Sequence, residues 1–182
     1  MGLSNHERGR VALFGTMRVM AMAAILAAMS IVCGKYLAFG VGQVLRFSFE
    51  NLPVLVAGML FGPLVGAAVG VCADLIGCIL VGYTINPILT VGAAVIGFLG
   101  GGLYRITDKL PEPIRVLLAV GIAHTVGSVI IKTLGLAVFY DMPVGILMLW
   151  RLLNYVIVGG VEYVLIYFII RNKAIRSVRY RR

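Results

Sequence analysis

The sequence predicts an all-α membrane protein, a bundle of six transmembrane helices with a short extended external loop between helices 1 and 2. Three observations carry that prediction. The 182 residues are 61% hydrophobic and only 13% charged, with a mean hydropathy of +1.04, whereas soluble domains keep about a quarter of their residues charged. The apolar residues gather into runs near the 20 or so residues that span a bilayer. The basic residues collect in alternate gaps between those runs.

The runs are roughly residues 17–40, 49–61, 64–81, 86–104, 114–140 and 144–170. Before the first, MGLSNHERGRVALFGTMR lacks the short apolar core and cleavage site of a signal peptide, so the first run is expected to stay as a span. The second run is short for a full crossing. Its Gly62-Pro63 turn is expected inside the membrane plane, which is tolerable only where protein rather than lipid surrounds it. Gly58, Gly62, Gly66 and Gly70 recur at every fourth position, a smooth ridge, divided by Pro63, that lets helix backbones approach closely in lipid. Asp74 is next in that register, so the ridge aims a carboxylate at a protein neighbour, and carboxylates at membrane depth tend to mark a site. Asn86-Pro87 is a helix-start signal for the fourth run.

Between the first two runs, FGVGQVLRF (residues 39–47) is too polar and glycine-rich for a helix. The alternation of Val44, Arg46 and Ser48 suits a short strand or an extended lid over the bundle. No linker or low-complexity tract appears, and residues 1–182 read as one membrane domain with basic cytoplasmic termini at 1–16 and 171–182. Twelve of the 16 Lys and Arg residues fall on one side: Arg8, Arg10 and Arg18, then Arg105, Lys109 and Arg115, then six from Arg171 to Arg182. The positive-inside bias then makes both termini cytoplasmic. The same distribution reads the net charge of +9 as topology and lipid-headgroup contact rather than nucleic-acid binding. Cys33, Cys72 and Cys78 lack metal or redox spacing and read as small packing residues.

Few polar groups remain at membrane depth. Asp74, Lys132 and Arg151 lie eight residues from Gly82, Tyr140 and Pro143 in turn, which puts all three about 12 Å below the outer surface. One reading is a structural ion pair of Asp74 with Lys132 or Arg151. One acid cannot neutralise two bases, however, and the surplus positive charge, with Arg46 above it, favours a carboxylate-bearing ligand entering from outside. Arg151, Asn154, Val158 and Glu162 share a face of the last helix, as do Thr125, Ser128 and Lys132 on the fifth. Tyr83, Thr84 and Asn86 stand at the pocket mouth, with Asn86 equally readable as a cap. Glu50 either pairs with Arg46 or accepts hydrogen bonds from a donor-rich heterocycle. His124 reads as a packing histidine, and Glu162 either as a structural acceptor or as part of the pocket. There is no phosphate-binding glycine-lysine loop, HExxH, GxSxG or paired Cys/His set, so neither an enzyme, a metal nor a cofactor is expected.

LRFSFENLPVLVAGMLFGPLVGAAVGVCADLIG, the following GYTINPILTVGAAVIG and the last helix WRLLNYVIVGGVEYVLIYFI resemble the substrate-binding S components of energy-coupling factor (ECF) vitamin transporters, closest to the folate family. Ala24-Ile-Leu-Ala-Ala28 is similar to the AxxxA motif through which S components dock on a shared transmembrane coupling subunit. The resemblance implies a six-helix bundle in the bacterial plasma membrane that binds vitamin from outside. It also implies a coupling protein and two cytoplasmic ATPases as partners, and release of substrate when the S component topples in the membrane. Folate would set its glutamate tail against Lys132, Arg151 or Arg46 and its pterin N–H groups against Glu50 or Asp74. Pantothenate or a pyrimidine is the alternative substrate. A self-sufficient carrier using Asp74, His124 and Glu162 as a proton relay, and a scaffold packed through glycine ridges, are the alternatives in class.

Overall fold

The computed structural model of the chain describes residues 17–41, 45–140 and 144–172; most of the predicted basic termini lie outside the described residues. Six helices form the bundle: α1 Met17–Tyr36, α2 Asn51–Phe61, α3 Pro63–Val81, α4 Pro87–Ile106, α5 Glu112–Phe139 and α6 Val144–Arg171. All but α2 are long and apolar enough to cross a membrane. Contacts between helix ends give their directions. Arg105, near the end of α4, donates to the Phe61 carbonyl at the end of α2, 3.1 Å away. Lys35 near the end of α1 lies over the ring of Tyr83, which follows α3. Helices α1, α3 and α5 therefore end where α2, α4 and α6 begin.

At that end sits the segment between α1 and α2. Strands β1 Phe39–Val41 and β2 Leu45–Phe47 pair antiparallel, with Phe39 opposite Phe47 and Gly40 opposite Arg46.

Helix α2 has 11 residues, a length of about 16 Å, roughly half the hydrocarbon thickness of a bilayer. Every residue from Pro53 to Phe61 is buried, so protein encloses the half-length helix and its turn, the condition under which such a break is stable at membrane depth. The turn depends on Gly62, whose φ of 112° is open chiefly to glycine. A Cβ there would stand 2.3 Å from the Arg105 guanidinium, the group that satisfies the Phe61 carbonyl.

The glycine ridge meets a matching stripe on α4. A Cβ on Gly97 would lie 2.1 Å from the Gly66 carbonyl oxygen, and one on Gly101 would lie 2.4 Å from that of Gly58. Gly70 faces the Ala93 carbonyl oxygen at 2.4 Å on the same measure. This is backbone-to-backbone packing, the arrangement that holds helices together where lipid removes the hydrophobic drive.

Two helix details place the polar residues. Asn86 caps α4, accepting from the Ile88 amide at 3.0 Å and donating to the Gly135 carbonyl at 3.0 Å, so it also ties α4 to α5. Residues His124–Ile131 of α5 are wound as a π-helix, and this changes the predicted face. Ser128 and Lys132 are buried, but Thr125 is exposed and bonds back to the Gly121 carbonyl at 2.8 Å. The wider turn alters the angular period that the reading of Thr125, Ser128 and Lys132 as one face assumed.

Candidate functional site

A narrow cleft opens at the ribbon end of the bundle, where α1, α2, α3 and α5 converge. Its polar lining is Ser30 and Lys35 from α1, Glu50 and Asn51 at the start of α2, Asp74 from α3 and Lys132 from α5. Its free volume is about 20 Å³, enough for one water molecule.

Lys132 Nζ donates to Glu50 Oε1 at 2.7 Å. The lysine is 5% exposed, whereas the Glu50 side chain is 33% exposed. Small residues make room for both. A Cβ on Gly92 of α4 would fall 2.7 Å from Lys132 Cγ, and one on Gly34 would fall 2.8 Å from Glu50 Cβ. The Ser30 hydroxyl donates to the Glu50 carbonyl at 2.6 Å, fixing the entry to α2 against α1.

Asp74 is half-buried, and its Oδ2 accepts from the Thr90 hydroxyl of α4 at 2.7 Å. The ridge thus delivers the acid to a protein neighbour. Lys35 Nζ lies 5.3 Å from the centre of the Tyr83 ring and 3.9 Å from Cys78 Sγ. Asn51 is 2% exposed, and its Nδ2 has no hydrogen-bond partner among the described residues.

Equal depth did not mean a shared partner. The structural pairing considered for Asp74, with Lys132 or Arg151, gives way to three separate ones: Lys132 with Glu50, Asp74 with Thr90, and Arg151 with the Ser128 carbonyl at 2.9 Å. Residue counts along helices fix height but not the direction around the axis, and Arg151 points to the backbone of α5.

A second polar group therefore lies along the seam between α5 and α6. His124 Nε2 and Glu162 Oε2 are 2.5 Å apart, with Glu162 fully buried. Ser128 Oγ is 3.4 Å from His124 Nδ1, and the Tyr155 ring packs on the imidazole at 5.1 Å. Arg151, Asn154, Val158 and Glu162 do share the inward face of α6, with the last three buried. Beside this group is an apolar hollow of about 260 Å³, lined by Leu117, Gly121, Leu152, Val156 and Gly160 among others.

The remaining predicted residues are dispersed. Tyr83 and Thr84 are exposed on the connection after α3, and Asn86 is 1% exposed within the α4–α5 contact. Arg46 is on β2, with its side chain outside the described residues. Ala24 and Ala28 are exposed on α1, whereas Ala27 between them is buried. Lys35, Asn51, Ser30 and Thr90 were not anticipated. Of these, Asn51 carried a signal in its place beside Glu50. Among the described residues no group of three or more His, Cys, Asp or Glu is placed to hold a metal ion.

Residues 18–175 match the family described as ECF transporter, substrate-specific component. The folate transporter FolT of Clostridium novyi (strain NT) is 28% identical over 156 residues, 82% of this chain and 86% of that protein. A crystal structure of FolT bound with folic acid superposes with a TM-score of 0.70 at 25% identity, covering 84% of this chain and 92% of that one. The S component for biotin from an ECF-type ABC transporter superposes with a TM-score of 0.64 over 98% of this chain and 100% of that one. At 14% identity that likeness speaks for the fold.

Proposed function

Because the chain belongs to the family of ECF transporter substrate-specific components, we propose that its vitamin is folate, bound in the cleft beneath the β1–β2 ribbon. The observation that carries this reading is the Glu50–Lys132 pair, with Asp74 lining the same cleft. The amino-oxopteridine ring of folate presents adjacent N–H donors, and ionised carboxylates are the strongest acceptors a protein can offer them. The glutamate tail presents carboxylates, for which Lys132, Lys35 and Arg46 supply the cations. Tyr83 and Thr84 stand at the mouth. Ser128, Arg151 and Asn154 belong to the seam that frames the cleft, and Asn86 acts by holding α4 against α5.

Loading needs movement. A cleft with about 20 Å³ of free volume cannot take a molecule of folate's size, so the ribbon and the end of α1 must part from α2. Lys132 then turns from Glu50 to a substrate carboxylate while Glu50 accepts from the ring N–H groups, so that neither charge is stranded, the costly outcome in a low-dielectric interior.

In this reading the protein binds and reorients but does not energise transport. The exposed Ala24 and Ala28 form a small-residue face on α1 for a transmembrane coupling subunit, whose two cytoplasmic ATPases supply the energy. Both termini are cytoplasmic, and the ribbon faces out.

Calorimetry on the purified, detergent-solubilised chain tests the substrate, with folate, pantothenate and thiamine titrated in turn. Folate binding that is tight and selective is the expected result. Tight binding of another vitamin sinks folate, and binding of none by folded protein sinks a stand-alone binding subunit.

A further inference from the structure

Asn51 is a cleft residue whose amide donor is unspent. It is 2% exposed, lines the cleft beside Glu50 and Asp74, and its Nδ2 has no hydrogen-bond partner among the described residues. Leaving such a donor unpaired in a buried position is costly. Its role at the start of α2 does not account for it, since no side chain caps that helix end. Packing does not account for it either. The apolar part of the lining is Ile31, Gly34, Val54, Gly70, Ala73 and Ala93, against which a leucine would sit with no unpaired amide. Native proteins leave few buried polar groups unsatisfied, and Asn51 Nδ2 differs from the other such atoms among the described residues, Arg115 Nε, Thr133 Oγ1 and Glu162 Oε1, in lining the cleft.

Neighbouring groups define what would satisfy it. Glu50 and Asp74 are acceptors, with Lys132 and Thr90 among their donors. Asn51 adds a donor next to acceptors. The complementary ligand edge is a carbonyl flanked by N–H groups, the lactam edge of a 2-amino-4-oxopteridine. Before substrate arrives, the cleft's single-water volume is enough to solvate the amide.

We propose that Asn51 is a specificity residue, donating from Nδ2 to the ring carbonyl of the substrate while a neighbouring carboxylate takes the adjacent N–H. This rests on the folate reading above and adds to it which ring edge is recognised and by what. A site that hydrogen-bonds its substrate rejects an analogue that reverses the polarity at that atom.

The test uses the full chain in detergent, with folic acid and its 4-amino analogue, aminopterin, as probes. Asn51→Leu removes the amide without adding charge and should weaken folic acid binding tenfold or more. Asn51→Asp offers only acceptors when ionised and should shift the folic acid to aminopterin affinity ratio at least tenfold toward aminopterin, a change that a packing role would not produce. Thermal melting checks that each variant folds, and Asn51→Leu decides alone if the added acid prevents folding. Retention of folic acid affinity within twofold by Asn51→Leu, or an unchanged ratio in Asn51→Asp, overturns the proposal and leaves the folate reading standing. Wild-type protein that does not bind folic acid overturns both.

Discussion

Two regions of this molecule hold an acid against a base across helices, and they differ in what surrounds the pair. In the cleft, Lys132 meets a Glu50 side chain that is 33% exposed. At the α5–α6 seam, His124 meets Glu162, which has no exposure at all. The cleft also holds a second carboxylate, Asp74, and an unpartnered donor, Asn51 Nδ2, whereas the seam's unpartnered atom among the described residues is an acceptor, Glu162 Oε1. At the seam, Arg151 is spent on the Ser128 carbonyl and the adjoining hollow is largely apolar. A pair with one solvated member can change partners. A pair enclosed on all sides fastens two helices. On that difference the cleft reads as the binding region and the seam as its frame.

Glu162→Ala gives the largest expected effect, and on stability. Removing one member of an enclosed pair costs about 3 kcal/mol, or about 6–12 °C in melting temperature for a chain of this size. Folate affinity of the remaining folded protein should stay within about threefold. An affinity lost in parallel with stability would place the seam inside the site and erase the distinction.

Lys132→Ala should show the opposite pattern. Folate affinity falls about 100-fold with the loss of a charge-assisted contact, while melting shifts by no more than about 3 °C because the Glu50 side chain is 33% exposed and stays in contact with water. Calorimetry and a melting curve on the same preparation separate the two outcomes. A large melting shift with little change in affinity would make this pair, too, a fastener.

The contrast explains what could be read in the sequence. Apolar runs and punctuation gave the helices, and the spacing of Gly58, Gly62, Gly66 and Gly70 gave the packed ridge, because both follow from local period. Direction around the axis does not follow from local period. Glu50 and Lys132 are 82 positions apart, and only tertiary packing brings them together. The π-helical winding at His124–Ile131 compounds this, turning Thr125 away from the face that an ordinary helical period assigns it. Asn51 was missed for another reason: an asparagine at a helix start is so ordinary that only its buried, unpartnered amide distinguishes it.

Thr90→Val sharpens the comparison within the cleft. It keeps the shape of the side chain but removes the donor to Asp74, 2.7 Å away. If Asp74 takes part in binding, loss of its orienting bond should lower folate affinity about fivefold, the value of one ordinary hydrogen bond. An unchanged affinity in calorimetry would reduce Asp74 to a tie between α3 and α4, like the pair at the seam.

The smallest expected effect is at the mouth. Tyr83 is about half exposed, and its ring lies 5.3 Å from Lys35 Nζ. Such a contact at an exposed position is worth about 0.5–1 kcal/mol, a factor of two to five. Lys35 is on the last turn of α1 and Tyr83 follows α3, so the contact spans the place where the cleft must open. Tyr83→Leu keeps apolar bulk and removes the ring. It should therefore speed folate entry and release by a similar factor while the equilibrium affinity moves by less than twofold, because the contact bridges the closed mouth in either state of loading. Stopped-flow exchange of bound folate measures both rates. Unchanged rates would leave the ribbon, rather than the Lys35–Tyr83 contact, as what limits access to the cleft. A fall in affinity without a change in entry rate would instead put Tyr83 among the groups that hold the ligand.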